Sequence, residues 1–306
     1  MTGVHLTIRR WEALLVAGIL LCLALGANAS AQGLVTWQQI ADQSVSPPDA
    51  RIQYGDDERR FGDLRLPQGP GPHPVAVVIH GGCWRSEYDL MHISPVSAAL
   101  TKAGIATWTL EFRRIGDVGG GWPGTFADVA RGTDYLRTLA LKFPLDLSRV
   151  VLVGHSAGGH LALWLAARRN LPKASPLFSE TPLPVRGVAS LAGITDLRRY
   201  REGPGGCNAS VEKLLGGSPG KLPERYAQTS PIELLPLGVP TRLVQGDIDP
   251  IVFVEQSKRF ATQAAAKGDD AQVVLIDGAG HFDLIAPFAP AWSRIERTIL
   301  SLVAAR

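Results

Sequence analysis

The sequence predicts an α/β fold, in which a mostly parallel central sheet carries helices on both faces. The first observation is a set of continuous apolar runs, such as 75–79 and 150–153, which are typical of strands buried on both faces. The second is that helical patterns separate these runs, as parallel strands require. The third is a Gly-x-Ser-x-Gly turn at 154–158, placed where a strand meets a helix.

The predicted elements alternate along the chain in the order that this fold needs. A strand pair over 51–66 comes first, and a Pro/Gly connector at 67–74 follows it. Residues 196–238 are rich in Pro, Gly and charge, so we expect a small insertion there, after the strand ending near Ala192. The other elements are strands at 75–79, 105–110, 150–153, 187–192, 241–245 and 272–276, and helices at 95–103, 126–139, 254–266 and 291–303.

Residues 1–31 have the pattern of a secretory signal peptide. Arg9 and Arg10 precede an apolar run over 13–26, and small residues alternate over 27–31, which indicates cleavage after Ala31. An uncleaved membrane anchor is the alternative, although the run is short for a membrane span. We therefore expect an exported protein, periplasmic or secreted, with a single domain over 32–306.

Charge and cysteine content narrow the classes of partner and cofactor. The formal net charge is only +3, which argues against nucleic acid and against a stable partnership with an anionic membrane. Cys83 and Cys207 remain after signal cleavage, and an oxidising compartment favours a disulfide between them; two separate thiols are the alternative. There is no His-Glu-x-x-His motif and no Cys/His cluster, so we expect no metal and no other cofactor.

Ser156 is the candidate nucleophile. Gly154 and Gly158 flank it at the spacing that a tight strand-to-helix turn needs, because larger side chains do not fit there. Such a turn exposes the serine hydroxyl and directs the amide of Ala157 toward an oxygen bound beside it. An incidental serine in a glycine-rich turn is the alternative.

A serine hydroxyl needs a base within hydrogen-bonding reach, and histidine is the usual choice. His281 follows the last predicted strand through a flexible loop, at the sheet edge where catalytic groups gather. We therefore assign the base to His281. The other histidines outside the signal peptide fit this position less well: His73, His80, His92, His155 and His160.

The third catalytic group should be a carboxylate that fixes the tautomer of the imidazole. The chain order of serine, acid and histidine limits the search to 157–280. Asp249 follows a strand and precedes a proline, and we select it. Asp247, which we expect to bond local amides, and Asp196, which follows the preceding strand, are the alternatives.

Donors for a developing oxyanion are expected in the segment His80-Gly81-Gly82-Cys83-Trp84, directly after the strand 75–79. We assign the donors to the backbone amides of Gly82 and Cys83, together with that of Ala157. His80 is expected to lock this loop. Trp84 and Trp122 are candidates for the wall of a substrate pocket, with ordinary packing as the alternative.

With these residues in place, the chain resembles the α/β-hydrolase superfamily over essentially all of its predicted mature length. The pairing of His80-Gly81-Gly82-x-Trp84 with Gly154-His155-Ser156-Ala157-Gly158 is similar to the branch of arylformamidases and bifunctional feruloyl/acetyl xylan esterases. The common acid segment of the superfamily is matched at Gly246, Asp249 and Val252, although Gln245 replaces the usual histidine.

The resemblance implies a serine hydrolase that cleaves carboxylic esters through a Ser156–Asp249–His281 triad and an acyl-enzyme. Export favours small-molecule or polysaccharide-linked esters, such as acetyl or feruloyl esters, over intracellular formylkynurenine. A formamidase or small amidase is the alternative within catalysis. An exopeptidase of the prolyl-oligopeptidase kind and a non-catalytic binding protein are weaker alternatives, because the chain lacks room for a propeller and no triad member is missing.

Overall fold

An eight-stranded sheet forms the centre of the protein in a computed structural model that describes residues 33–304. The strand order is β1-β2-β4-β3-β5-β6-β7-β8. Strand β2 pairs antiparallel with β1 and with β4, and all other pairs are parallel. The strands are β1 (Ala50–Gln53), β2 (Phe61–Arg65), β3 (His73–Ile79), β4 (Ala106–Leu110), β5 (Leu145–His155), β6 (Gly187–Leu191), β7 (Thr241–Gly246) and β8 (Ala271–Ile276).

The central strands are buried along most of their length. Every residue of β4 and β6 is buried, and so is every residue of β5 from Val150 to His155. In β3 and β5 this follows from the continuous apolar runs at 75–79 and 150–153, which place apolar residues on both faces. In β4 the buried hydroxyls of Thr107 and Thr109 instead form hydrogen bonds with Thr101 and Ser97. The predicted parallel sheet is confirmed.

Helices pack around the sheet. Helices α5 and α10 both pack against β5 and β6. In chain order the helices are α1 (Trp37–Ala41), α2 (Ser94–Lys102), α3 (Gly124–Asp134), α4 (Leu136–Leu139), α5 (Ala157–Ala167), α6 (Leu197–Tyr200), α7 (Gly206–Leu215), α8 (Pro223–Ala227), α9 (Val254–Ala266) and α10 (Trp292–Ala304). Helices α6, α7 and α8 lie within the predicted insertion at 196–238.

One predicted helix differs in the structure. The pattern at 126–139 predicted a continuous helix, but the chain forms α3 and α4, which are separated at Tyr135. The carbonyl of Gly132, which the amide of Leu136 would use in a continuous helix, accepts instead from Trp108 Nε1 at 2.8 Å. The Trp108 side chain of strand β4 therefore replaces the backbone hydrogen bond that would continue the helix, and the helix is interrupted there.

The predicted signal peptide, residues 1–31, lies outside the described residues. From Val35 onward the chain forms one compact unit. Over residues 33–304, no helix combines the length and the apolar character needed to span a membrane.

Candidate active site

Ser156 occupies the tight turn between β5 and α5. Its φ of 54° lies in the left-handed region, and its amide donates to the carbonyl of Leu191 at 2.8 Å, which ties the turn to β6. A side chain at Gly154 would collide with the carbonyl oxygen of Gly158, and one at Gly158 would collide with that of Ile79. The two glycines are therefore required by close backbone approach, and the serine is held in a strained conformation.

His281 and Asp249 form a short, buried hydrogen bond. His281 Nδ1 lies 2.7 Å from Asp249 Oδ2, and each residue exposes only 5% of its surface. Because the ionised carboxylate can only accept, Nδ1 carries the hydrogen and Nε2 keeps a lone pair. The imidazole is thus in the tautomer that can take a proton from a nucleophile.

Asp249 is itself oriented by its own turn. Its Oδ1 accepts from the amides of Ile251 and Val252 at 2.8 and 3.0 Å, and its Oδ2 also accepts from Gln245 Nε2 at 3.2 Å. Gln245, which stands where the superfamily usually has histidine, also donates to the Val252 carbonyl and accepts from Ser257 Oγ. The departure from the family pattern therefore supplies a further donor to the acid.

The two alternative acids lie apart from any imidazole. Asp247 is exposed and accepts from the amide of Gly278 at 2.7 Å. Asp196 caps α6 through the amide of Arg199 and forms an ion pair with Arg259 at 3.1 Å. Among residues 33–304, neither aspartate forms a hydrogen bond with a histidine.

His155, the residue directly before Ser156, contacts His281. The ring of His155 lies 4.4 Å from that of His281, between centroids, and His155 Nε2 donates to the His281 carbonyl at 3.0 Å. The part of the chain that is described holds no hydrogen bond between Ser156 Oγ and His281. Such bonds are commonly long before substrate binds and tighten afterwards.

The loop after β3 has the backbone geometry of a donor loop. Gly82, Cys83 and Trp84 have φ values of 98°, 54° and 57°, three successive residues in the left-handed region. Within 33–304, the amides of Gly82, Cys83 and Ala157 donate to no protein acceptor. No protein acceptor in that part of the chain therefore occupies these three N–H groups.

His80 anchors this loop to the sheet. Its ring nitrogens lie 2.8 Å from the Gly81 carbonyl and 3.3 Å from Glu111 Oε1. Burial of Glu111 opposes ionisation, but His80 and Arg114, together with the amide of Phe112, outweigh it and hold the pKa of the carboxyl below its ordinary value. Glu111 and Arg114, 3.1 Å apart, thus form a structural ion pair beneath the loop.

Trp84 is enclosed and does not line an open surface in this structure. It exposes 1% of its surface, and its Nε1 donates to His160 Nδ1 at 3.2 Å. His160 Nε2 donates in turn to the Thr229 carbonyl at 2.9 Å, and burial lowers the pKa of His160 to about 4. Trp122 is partly buried, with the guanidinium of Arg225 5.6 Å from its ring centroid. Of the two candidates for a pocket wall, Trp122 is the more accessible.

The structure brings Cys83 and Cys207 together as a disulfide, with their Cα atoms 5.0 Å apart and a sequence separation of 124. Cys83 belongs to the donor loop and Cys207 to α7, so the bond would join that loop to the insertion. Over 33–304, no group of three or more His, Cys, Asp or Glu residues is arranged to hold a metal ion.

The position of His92 beside the site was not predicted from local patterns in the sequence. His92 has no strand before it, yet its Nε2 lies 2.8 Å from His155 Nδ1. The contact spans 63 residues of sequence, so no local pattern signals it.

The chain is similar to a known protein family and to several named hydrolases. The BD-FAE family model matches residues 63–264. The chain is 26% identical over 228 residues to the probable carboxylic ester hydrolase LipM of Mycobacterium tuberculosis, covering 70% of this chain and 51% of LipM. It is 24% identical over 262 residues to the kynurenine formamidase of Drosophila melanogaster, covering 82% of this chain and 80% of that protein. The chain thus spans about half the length of LipM.

Among solved structures, a truncated carbohydrate esterase from gut microbiota is similar over 89% of this chain and 100% of its own. The TM-score is 0.74 and the sequence identity is 20%. A likeness at this level of identity establishes the fold. Together with the sheet order, it confirms the predicted α/β-hydrolase fold.

Proposed function

The chain belongs to the BD-FAE family, and from this premise we propose that it is a serine-dependent carboxylic ester hydrolase. The observation that carries the proposal is the 2.7 Å bond between His281 Nδ1 and Asp249 Oδ2. It leaves Nε2 of His281 as an acceptor, and the ring of His281 contacts that of His155, the residue directly before the strained Ser156. Curated relatives such as LipM, whose name is that of an ester hydrolase, support the same chemistry.

In the proposed first half-reaction, Ser156 Oγ attacks the ester carbonyl carbon while its proton passes to His281 Nε2. Asp249 stabilises the resulting imidazolium through Oδ2. The tetrahedral oxyanion accepts hydrogen bonds from the amides of Gly82, Cys83 and Ala157. The bond to the alcohol oxygen then breaks, and His281 gives its proton to the leaving alcohol.

In the second half-reaction, water attacks the acyl-enzyme carbonyl as His281 Nε2 takes a proton from it. Collapse of the second tetrahedral intermediate releases the acid and returns the proton to Ser156 Oγ. The three amides serve both steps because the oxyanion forms at the same place. One such donor typically contributes about 3 kcal/mol to transition-state stabilisation.

We propose further that the protein is exported after cleavage at Ala31 and acts on acetyl or feruloyl esters. Acyl esters of polysaccharides are found outside the cell, where such a protein would meet them. N-terminal sequencing of the protein recovered from the periplasm or the culture fluid should begin at Gln32. A sequence beginning at Met1 would contradict this proposal.

A second candidate, hydrolysis of aryl formamides, is supported by one finding. The kynurenine formamidase of Drosophila melanogaster is matched over 80% of its length, against 51% for LipM. The same triad serves both reactions, since each requires a serine attack on a carbonyl carbon.

The test is a substrate panel of acetyl, feruloyl and formyl compounds, together with labelling by a fluorophosphonate probe. We expect short acyl esters to be cleaved, and Ser156→Ala to lower kcat by about 10⁶-fold and abolish labelling. Ser148→Ala is the matched control, because Ser148 is exposed on the same strand before the buried run. Formyl turnover far above ester turnover would favour the second candidate, and an unlabelled wild-type protein would exclude both.

A further inference from the structure

Two buried histidines, His92 and His155, form a hydrogen-bonded pair beside the base. Because the His281 carbonyl can only accept, His155 Nε2 carries a hydrogen and donates it there at 3.0 Å. A neutral His155 ring then accepts at Nδ1, so His92 Nε2 must be the donor of the 2.8 Å bond between them. The direction of both hydrogen bonds is therefore fixed.

Burial keeps both rings in this neutral form. It lowers the pKa of His92 well below the ordinary value, and the charges of His80 and His281 act in the same direction. Burial likewise lowers the pKa of His155, and His281 and His92 add to that effect, while the bond to the His281 carbonyl opposes it. The ring of Trp37 stacks on His92, with centroids 5.0 Å apart, and holds the pair from its outer side.

The pair touches all three parts of the site. His155 directly precedes Ser156 in the nucleophile turn, and it holds the His281 carbonyl. Gly81 of the donor loop lies against the bond itself, because a Cβ built there would be 2.8 Å from His92 Nε2 and 3.2 Å from His155 Nδ1. The nucleophile turn (154–158), the donor loop (80–84) and the base loop (277–281) thus meet at one hydrogen bond.

We propose that His92 and His155 are positioning residues, whose hydrogen bonds set the place of the His281 backbone and hence the direction of its ring toward Ser156. The inference rests on the proposed function, because it assigns the base to His281. Neither histidine touches the reacting atoms in this proposal. Each acts through His281.

If the two histidines served only to fill space, burying their polar ring atoms would lower the stability of the protein without any compensating benefit. His92 Nδ1 is buried and has no partner within 33–304, so its desolvation is not compensated. Two apolar side chains would fill the space without that cost, but they would leave the His281 carbonyl without a donor. The polar pair is explained by the hydrogen bond that it provides to the base loop.

The test compares two substitutions of His92, one that removes the N–H donor and one that keeps an N–H donor. His92→Phe keeps a ring to stack on Trp37 but has no N–H, whereas Gln can place an N–H near the position of Nε2. His73→Phe is the matched control, since it removes a buried imidazole at the amino end of β3, away from the site. His92→Met, flexible and also without a donor, replaces the Phe variant if the latter does not fold.

Two measurements are made on each folded variant. The first is kcat and KM on a short acyl ester. The second is the downfield NMR resonance of the His281 Nδ1 proton in its bond to Asp249, identified by its loss in His281→Ala. The NMR measurement does not depend on turnover. If the wild-type protein had no esterase activity, the proposed function would be refuted, but the NMR comparison of the variants would still test the role of His92.

We expect His92→Phe to lower kcat by about tenfold, with KM within about twofold, and to shift the His281 resonance. His92→Gln should restore most of kcat and the wild-type resonance, and His73→Phe should change neither. An unchanged kcat and resonance in His92→Phe would overturn the proposal. So would a Gln variant as impaired as the Phe variant.

Discussion

Replacement of Asp249 by Asn tests the triad most directly, because the structure limits how the amide can be placed. Asp249 Oδ1 accepts from the amides of Ile251 and Val252, and Oδ2 faces His281 and Gln245. An Asn side chain has one acceptor oxygen and one NH₂ group. The single oxygen of Asn can therefore accept either from the two backbone amides or from the side chains of His281 and Gln245, but not from both sets.

If the amide nitrogen faced the turn, the Ile251 and Val252 amides would both lose their acceptor. Each unsatisfied buried donor costs about 1–3 kcal/mol, or about 2–6 kcal/mol together. The opposite orientation keeps both backbone bonds and presents NH₂ to His281 Nδ1. The imidazole of His281 can adopt its other tautomer, in which Nδ1 accepts from this NH₂ group. The second orientation is therefore favoured.

In that tautomer the hydrogen of His281 is on Nε2, which can no longer accept the proton of Ser156. We therefore expect Asp249→Asn to fold and bind substrate but to lose about 10⁴-fold in kcat, which corresponds to about 5 kcal/mol of transition-state stabilisation. The assay is steady-state hydrolysis of a p-nitrophenyl acyl ester by the wild-type and variant proteins.

Asp247→Asn and Asp196→Asn are the matched controls. Asp247 is exposed, and an Asn oxygen there can still accept from the Gly278 amide. Asp196 contacts Arg199 and Arg259 but no imidazole among the described residues. Both variants should keep kcat within about twofold of wild type. The assignment is refuted if Asp249→Asn keeps kcat within tenfold, or if either control loses more activity than it does.

Two further predictions concern stability. The pKa of His160 is about 4 when folded, against 6.5 for the ordinary group, so the unfolded chain takes up that proton first as the pH falls. The protein should therefore lose up to about 3 kcal/mol of unfolding free energy between pH 6.5 and 4 through His160, and none above pH 6.5. Urea titrations at pH 7.5 and 4.5 should show a smaller loss in His160→Gln than in wild type; equal losses would contradict the buried neutral ring. If the Cys83–Cys207 disulfide forms, Cys207→Ser should lower the unfolding free energy by about 3–5 kcal/mol. Dithiothreitol should destabilise the wild type but not this variant, and alkylation of both thiols without reduction would show that the bond is absent.

Much of the fold followed from local patterns. The runs at 75–79 and 150–153 predicted buried strands because apolar β-branched residues disfavour other local structures there, and 254–266 was predicted as a helix with the bounds observed. The division between α3 and α4 was not predicted, because it depends on Trp108 of strand β4, which donates to the Gly132 carbonyl of α3. A window of helical periodicity contains no information about that contact.

The site shows the same division. Ser156, Asp249 and His281 were selected from the sequence because each follows a strand, and the carboxyl ends of parallel strands meet at one edge. The structure adds the bond between His281 and Asp249, which separates Asp249 from Asp247 and Asp196 by geometry. Trp84 was a candidate for a pocket wall, and the structure shows that it is enclosed and bonded to His160, 76 positions away in sequence.

The sequence by itself determined the α/β class, the turn at Ser156 and the order of the three candidate catalytic groups, because these depend on short-range periodicity, glycine geometry and strand ends. Only the tertiary structure decided which aspartate meets His281, that Trp84 is enclosed, and that His92 and His155 join the base loop to the nucleophile turn. Those outcomes depend on directed hydrogen bonds between segments far apart in the chain, and such bonds exist only once the sheet has brought the segments together.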